Sequence, residues 1–158
     1  MALAGRRKLA EVFNYHFEGE GDLSEHSLGN ITIPTLLGAG VREALAGFAG
    51  PVLYVANAMT QPGETTGFTV SDHLRALAKH IGPVVTDVLV HSGELPRELV
   101  ARYAAEGAAQ CKLDREEIGR LGVRLREADL FLDQVGPIVR HNADRLAKEV
   151  CKTVLVRI

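Results

Sequence analysis

The stretch NAMTQPGETTGFTVSDHL, residues 57–74, gathers Asn57, Thr60, Gln61, Glu64, Thr65 and Asp72 with no branched aliphatic residue before Val70. Amide and hydroxyl side chains in such density suit a ligand rich in hydroxyls and ring edges. Glu64 and Asp72 restrict the choice, because two carboxylates repel a phosphate unless a divalent cation intervenes or they contact hydroxyls and base edges instead. The same residues also admit a plainer reading, in which Gln61, Pro62 and Gly63 form a tight turn and Asp72 only caps a helix. Spacing leaves both open.

A second candidate is VRHNADRL, where Arg140 and Asn142 stand at the head of the last expected helix. A guanidinium there can hold a phosphate through two parallel hydrogen bonds, while the alternative is a surface arginine beside an ordinary Asn cap. Tyr103, in ARYAAEGA, shares a helical face with Leu99 and reads locally as a core tyrosine with a wet hydroxyl. His73 and His80 lie seven apart on one expected helix without an acidic or cysteine partner at ligand spacing. His26 and His91 fall near strand or loop ends, and nothing in the sequence selects either as catalytic.

These residues are positioned by an alternation of helix and strand. LAGRRKLAEVFNYHF (residues 3–17) has apolar residues at helical spacing, and a second helix is expected from Pro34 to a stop at Gly50. PVLYVA, short and β-branched, predicts a strand covered on both faces. A helix follows from Thr69, with Asp72 three residues later as an acidic capping box, through Leu74, Leu77 and Ile81 to Gly82. VVTDVLVH predicts a strand, PRELVARYAAEGA a helix opened by Pro96, QCKL a short strand, DREEIGRLG one or two helical turns, and VRLREADLFL an edge strand. Asn142 caps the final helix. The order predicts βαβ units: one α/β domain over residues 1–158, Rossmann-like and three-layered, with a mostly parallel sheet. Ligands of such sheets gather at the carboxyl ends of the strands, where the 57–72 stretch falls.

Composition sets the outer limits. The 158 residues are 46% apolar and 24% charged with a net charge of −2, which suits one globular domain and gives no basic footprint for nucleic acid or an anionic membrane. Cys111 and Cys151 are the only cysteines and form no C-x-x-C pattern, so free thiols in a reducing, cytoplasmic setting are expected rather than a disulfide or zinc framework. No apolar run is long enough for membrane insertion, and Arg6, Arg7 and Lys8 interrupt the start of the sequence where a signal segment would be apolar.

YVANAMTQPGETTGFTVSDHLRAL, DVLVHSGELP, ARYAAEGA and VRHNADRLAKEV together closely resemble the carboxyl-terminal half of the CofD-like family, in its gluconeogenesis-factor branch. FNYHFEGEGDLSEHSLGN resembles a family segment that normally lies well upstream. Two family features are missing: a glycine-rich nucleotide loop of the G-G-G-T-G kind, and a long middle section between HSLGN and IPTLLGAGVREAL. The resemblance implies a Rossmann-like core and a UDP-sugar ligand such as UDP-N-acetylglucosamine, in a regulatory protein supporting cell shape and peptidoglycan synthesis on gluconeogenic carbon. It implicates Tyr103 and Arg140 in holding the nucleotide-sugar. From the place of residues 57–72 between strand and helix, Asn57, Thr60, Gln61 and Glu64 are expected against sugar or base, with Asn142 as a further ligand-binding candidate. The family's other branch transfers a phospholactyl group from a guanosine-diphosphate donor to a deazaflavin precursor. That alternative needs magnesium, held by Glu64 or Asp72, whereas the regulatory reading needs no cofactor. Self-association into a homo-oligomer is left open.

Overall fold

The computed structural model describes residues 40–131 and 141–155. The helix expected over residues 3–17, the segment holding His26, Pro34 and Arg140 all lie outside them. The described chain divides into two compact units, residues 40–48 with 80–82, and residues 49–79, 83–131 and 141–155.

In the first unit, helix α1 (Val41–Ala46) starts at Gly40, whose φ of 81° lies in the left-handed region. A continuous helix cannot pass through that angle, so the helix expected from Pro34 onward is broken there. Phe48, an apolar residue within that expected helix, is 57% exposed.

The second unit is built on three parallel strands in the order β1 (Leu53–Val55), β2 (Asp87–His91), β3 (Arg124–Ala128). Register runs Leu53↔Asp87↔Arg124 through Val55↔Leu89↔Arg126. Parallel pairing requires crossovers, supplied by α2 (Val70–Ile81) between β1 and β2, and by α3 (Arg97–Ala105) and α4 (Arg115–Arg120) between β2 and β3. Helix α5 (Ala143–Leu155) follows β3. The α/β fold with a parallel sheet is as the sequence predicts. Among the described residues no helix is long and apolar enough to cross a membrane.

Strand burial follows sheet order more closely than apolarity. All five residues of β2 are buried, because partners flank it on both edges, whereas β1 is half-buried throughout. PVLYVA is thus not the doubly covered strand its composition suggests. Val88 and Val90 point to one face and join Ala56, Val70, Leu74, Cys111 and Ile118 in a core cluster. Burial pushes the Cys111 thiol up to about 11, with the charges of Asp114 and Asp72 adding to the effect, and raises the Tyr54 phenol to about 12. At the amino end of β2, the fully buried Asp87 accepts from Arg126 Nε at 2.9 Å and from Thr86 Oγ1 at 2.7 Å. Removing the partner of such a buried carboxylate would leave its charge uncompensated.

QCKL departs from expectation. In place of a sheet strand it forms two isolated bridges, Met59↔Gln110 antiparallel and Thr69↔Lys112 parallel, which stitch it to the loop after β1. Thr60 N–H donates to Ala109 O at 2.7 Å, Cys111 N–H to Ala58 O at 2.8 Å, and Val70 N–H to Lys112 O at 3.0 Å. The bonds hold the loop at both ends.

Candidate functional site

The loop between β1 and α2 is shaped by its own side chains. Gln61 N–H donates to Thr65 Oγ1 at 2.8 Å, Thr65 N–H returns to Gln61 O at 2.9 Å, and Gly63 N–H reaches Thr66 Oγ1 at 3.0 Å. Gly63 takes a φ of 80°, which glycine adopts without cost. The tight turn at Gln61, Pro62 and Gly63 therefore exists, and it carries Glu64 outward as an exposed residue. The capping box is also present. Thr69 N–H donates to Asp72 Oδ2 at 3.0 Å while Asp72 N–H reaches Thr69 Oγ1 at 3.3 Å. The bonds from Thr69 and then Arg75 hold the Asp72 carboxyl below the usual range.

Beyond the turn, Asn57, Ala58, Met59, Thr60 and Gln61 line a cleft of about 470 Å³ with Tyr103, Phe131 and His141. The first five leave the carboxyl end of β1, Phe131 leaves that of β3, Tyr103 comes from α3, and His141 precedes α5. The cleft thus lies where an open parallel sheet normally receives its ligand. Asn57 and Gln61 are exposed, while Thr60 is buried and its hydroxyl accepts from Ala109 N–H at 2.9 Å. Tyr103 is half-buried and packs with Ala58 and Val100 against Met59, Leu95 and Phe131.

The aromatic wall continues behind the cleft. Phe131 stacks on His141 with centroids 5.1 Å apart and meets the edge of His91 at 4.4 Å. His91 Nδ1 accepts from Leu130 N–H at 3.1 Å, and Arg145 Nη1 donates to Asp129 O and Phe131 O, both at 3.2 Å. The Arg145 guanidinium also pairs with the Asp129 carboxylate and keeps that acid low. Burial lowers the affinity of both His91 and His141 for a proton, outweighing Asp129 at His91, while the charge of His91 adds to the lowering at His141.

Of the residues selected from sequence, Asn57, Thr60, Gln61 and Tyr103 share the cleft. Glu64 and Asn142 are not among those lining it, and Arg140 lies outside the described residues, though its chain neighbour His141 is a wall residue. Asn142 does the work of a cap, its Oδ1 accepting from Arg145 N–H at 3.0 Å. Phe131 and His141 escaped the sequence reading. His141 stands between the two residues singled out in RHN, and the apolar end of VRLREADLFL carried no sign that its phenylalanine would leave the strand. Of the histidines on α2, His73 is buried against Phe68 and Tyr54 and His80 is exposed. Among the described residues no group of three or more His, Cys, Asp or Glu side chains is placed to hold a metal ion. Glu64 is exposed on the turn, and Asp72 is engaged in the cap and with Arg75.

Residues 32–131 match the model of the CofD family, described as 2-phospho-L-lactate transferase CofD. The chain is similar to the gluconeogenesis factor of Halalkalibacterium halodurans, 36% identical over 125 residues that cover 78% of this chain and 38% of that protein. It is similar also to the gluconeogenesis factor of Bacillus subtilis, 33% identical over 130 residues, 82% of this chain and 39% of the relative. A crystal structure of a Bacillus halodurans protein superposes with a TM-score of 0.70 at 36% identity, covering 75% of this chain and 38% of that one. The chain therefore spans well under half the length of the relatives it matches.

Proposed function

The chain belongs to the CofD family, and on that premise we propose that its cleft takes a UDP-sugar, UDP-N-acetylglucosamine or a close analogue, in a binding protein of the gluconeogenesis-factor kind. Its role is regulatory, supporting cell shape and peptidoglycan synthesis in the cytoplasm of cells growing on gluconeogenic carbon. The observation that carries this reading is the convergence of Asn57, Thr60 and Gln61 with Tyr103 in one cleft at the carboxyl ends of parallel strands. Its volume, about 470 Å³, lies within the range of small-molecule sites. Asn57 and Gln61 offer amide donors and acceptors for a uracil edge and sugar hydroxyls, and the rings of Tyr103, Phe131 and His141 offer faces for a base. Arg140 is assigned to the diphosphate, a role suited to a forked guanidinium.

Calorimetric titration of the full chain with UDP-N-acetylglucosamine, with and without magnesium, tests the reading. Expected are saturable heat that ignores magnesium and a loss of affinity in Tyr103→Ala and Arg140→Ala. An absence of heat at any ligand concentration overturns it, and release of guanosine monophosphate from a diphosphate-linked donor would establish the phospholactyl transferase instead.

A further inference from the structure

The cleft's aromatic wall is fastened by a residue that is not among those lining it. His91 ends β2 with its side chain 4% exposed, and its Nδ1 receives Leu130 N–H at 3.1 Å and, more weakly, Gly93 N–H at 3.4 Å. A ring nitrogen that accepts two backbone donors must keep its lone pair, so the imidazole is neutral with its proton on Nε2. Leu130 N–H is thereby held one residue before Phe131, whose ring stands at 85° to the imidazole and lies nearly parallel to His141. Gly93 closes the other side, since a Cβ there would fall 2.5 Å from His91 Cε1 and 3.0 Å from Nε2. Nε2 itself is buried without a hydrogen-bond partner among the described residues.

The geometry points to His91 as a positioning residue: while Nδ1 is unprotonated it fastens Leu130 and Phe131 and so keeps the Phe131–His141 wall facing the ligand, and protonation of Nδ1 lets that wall go. The inference rests on the cleft being the nucleotide-sugar site. A proton taken from solvent turns the acceptor into a donor that opposes Leu130 N–H. The Asp129 carboxylate, its Oδ1 3.7 Å from Nδ1, is an acceptor to which such a donor could turn. Other charged groups face His91 from each packed element. Arg145 of α5 neutralises Asp129, His141 adds repulsion once charged, and a neighbouring cleft of about 410 Å³ sets His91 beside Lys112, Arg115 and Glu127. Arg115 and Glu127 form a bidentate pair, 3.0 and 2.7 Å, and so offset each other's charge. Burial disfavours the charged imidazole.

Imidazole ¹⁵N spectra of the ligand-free full chain report the tautomer directly. They should show an unprotonated Nδ1 at about pH 7.5, with the Leu130 amide resonance moving in step with His91 as acid is added. Affinity for UDP-N-acetylglucosamine should track the neutral fraction so measured, falling roughly tenfold when about nine-tenths of His91 is protonated. His91→Asn, whose Oδ1 accepts without titrating, should bind within about threefold of wild type and lose this pH dependence. His91→Phe should bind weakly at every pH. Affinity that still falls with acid in His91→Asn assigns the effect to another group and overturns the proposal, as does an Nδ1-protonated tautomer near neutrality. A wild-type chain that binds no nucleotide-sugar at any pH refutes the reading of the cleft, while the spectra still decide whether the clamp exists.

Discussion

Thr60→Val isolates one atom of the scaffold beneath the cleft. Valine shares the β-branched shape of threonine, so at this 4%-exposed position the substitution chiefly removes the hydroxyl. That hydroxyl is the acceptor for Ala109 N–H at 2.9 Å. Ala109 is an exposed residue, so water can replace part of the bond, and the cost should be that of one ordinary hydrogen bond, about 1 kcal/mol. In a chain of 158 residues this corresponds to a fall in Tm of roughly 2–4 °C. The neighbouring backbone bonds, Thr60 N–H to Ala109 O and Cys111 N–H to Ala58 O, do not involve the hydroxyl and should persist. Amide hydrogen exchange is the discriminating assay. Ala109 should lose protection in Thr60→Val, regain it in Thr60→Ser, and do so while Cys111 stays protected. Equal Ala109 exchange in wild type and valine variant would refute the assignment of Thr60 as a clip and return its hydroxyl to the ligand.

Asn142→Ala removes the acceptor at the head of α5 and should cost about 1 kcal/mol in urea unfolding, with Asn142→Asp close to wild type. Gly93→Ala drives a methyl to within 2.5 Å of the His91 ring and should destabilise by roughly 1–3 kcal/mol, with the Leu130 amide resonance shifting more than that of any residue on α2. Stability should also fall in two stages with acid. His73, His91 and His141 hold protons less readily in the fold than the free side chain, so the unfolded chain takes up more protons once pH drops below about 6.5, and stability declines from there. Asp72, Asp114, Glu127 and Asp129 are likewise depressed, so a second loss begins near the ordinary carboxylate range of about 4. Urea midpoints measured across pH check both, and a gain in stability between about pH 7 and 5 would contradict the histidine part.

What could be read from sequence was what is decided within a few residues. The capping box of Thr69 and Asp72, the turn at Gln61 to Gly63 and the Asn142 cap all close over three or four positions, and their residue types announce them. The strand-to-helix placement of Asn57, Thr60 and Gln61 followed from the alternation of periods. Contacts between distant segments left no such trace. His91 meets Leu130 across 39 positions and Thr60 meets Ala109 across 49, so neither the Phe131 wall nor the stitching by residues 109–112 could be anticipated. PVLYVA and VVTDVLVH look alike as apolar runs, and only their places in the sheet separate the half-buried strand from the buried one. The expected helix through residue 40 failed on one backbone angle that composition does not reveal.

The two thiols differ enough to make the molecule report its own opening. Cys151 is exposed on α5, whereas Cys111 is buried beside the loop after β1, directs its Sγ–H toward Phe68 O at 3.6 Å, and holds its proton far above neutrality. An alkylating reagent should therefore consume Cys151 at once and reach Cys111 only when the stitched segment parts from the loop. The slow phase of such a reaction times that parting, and a ligand seated in the cleft should lengthen it.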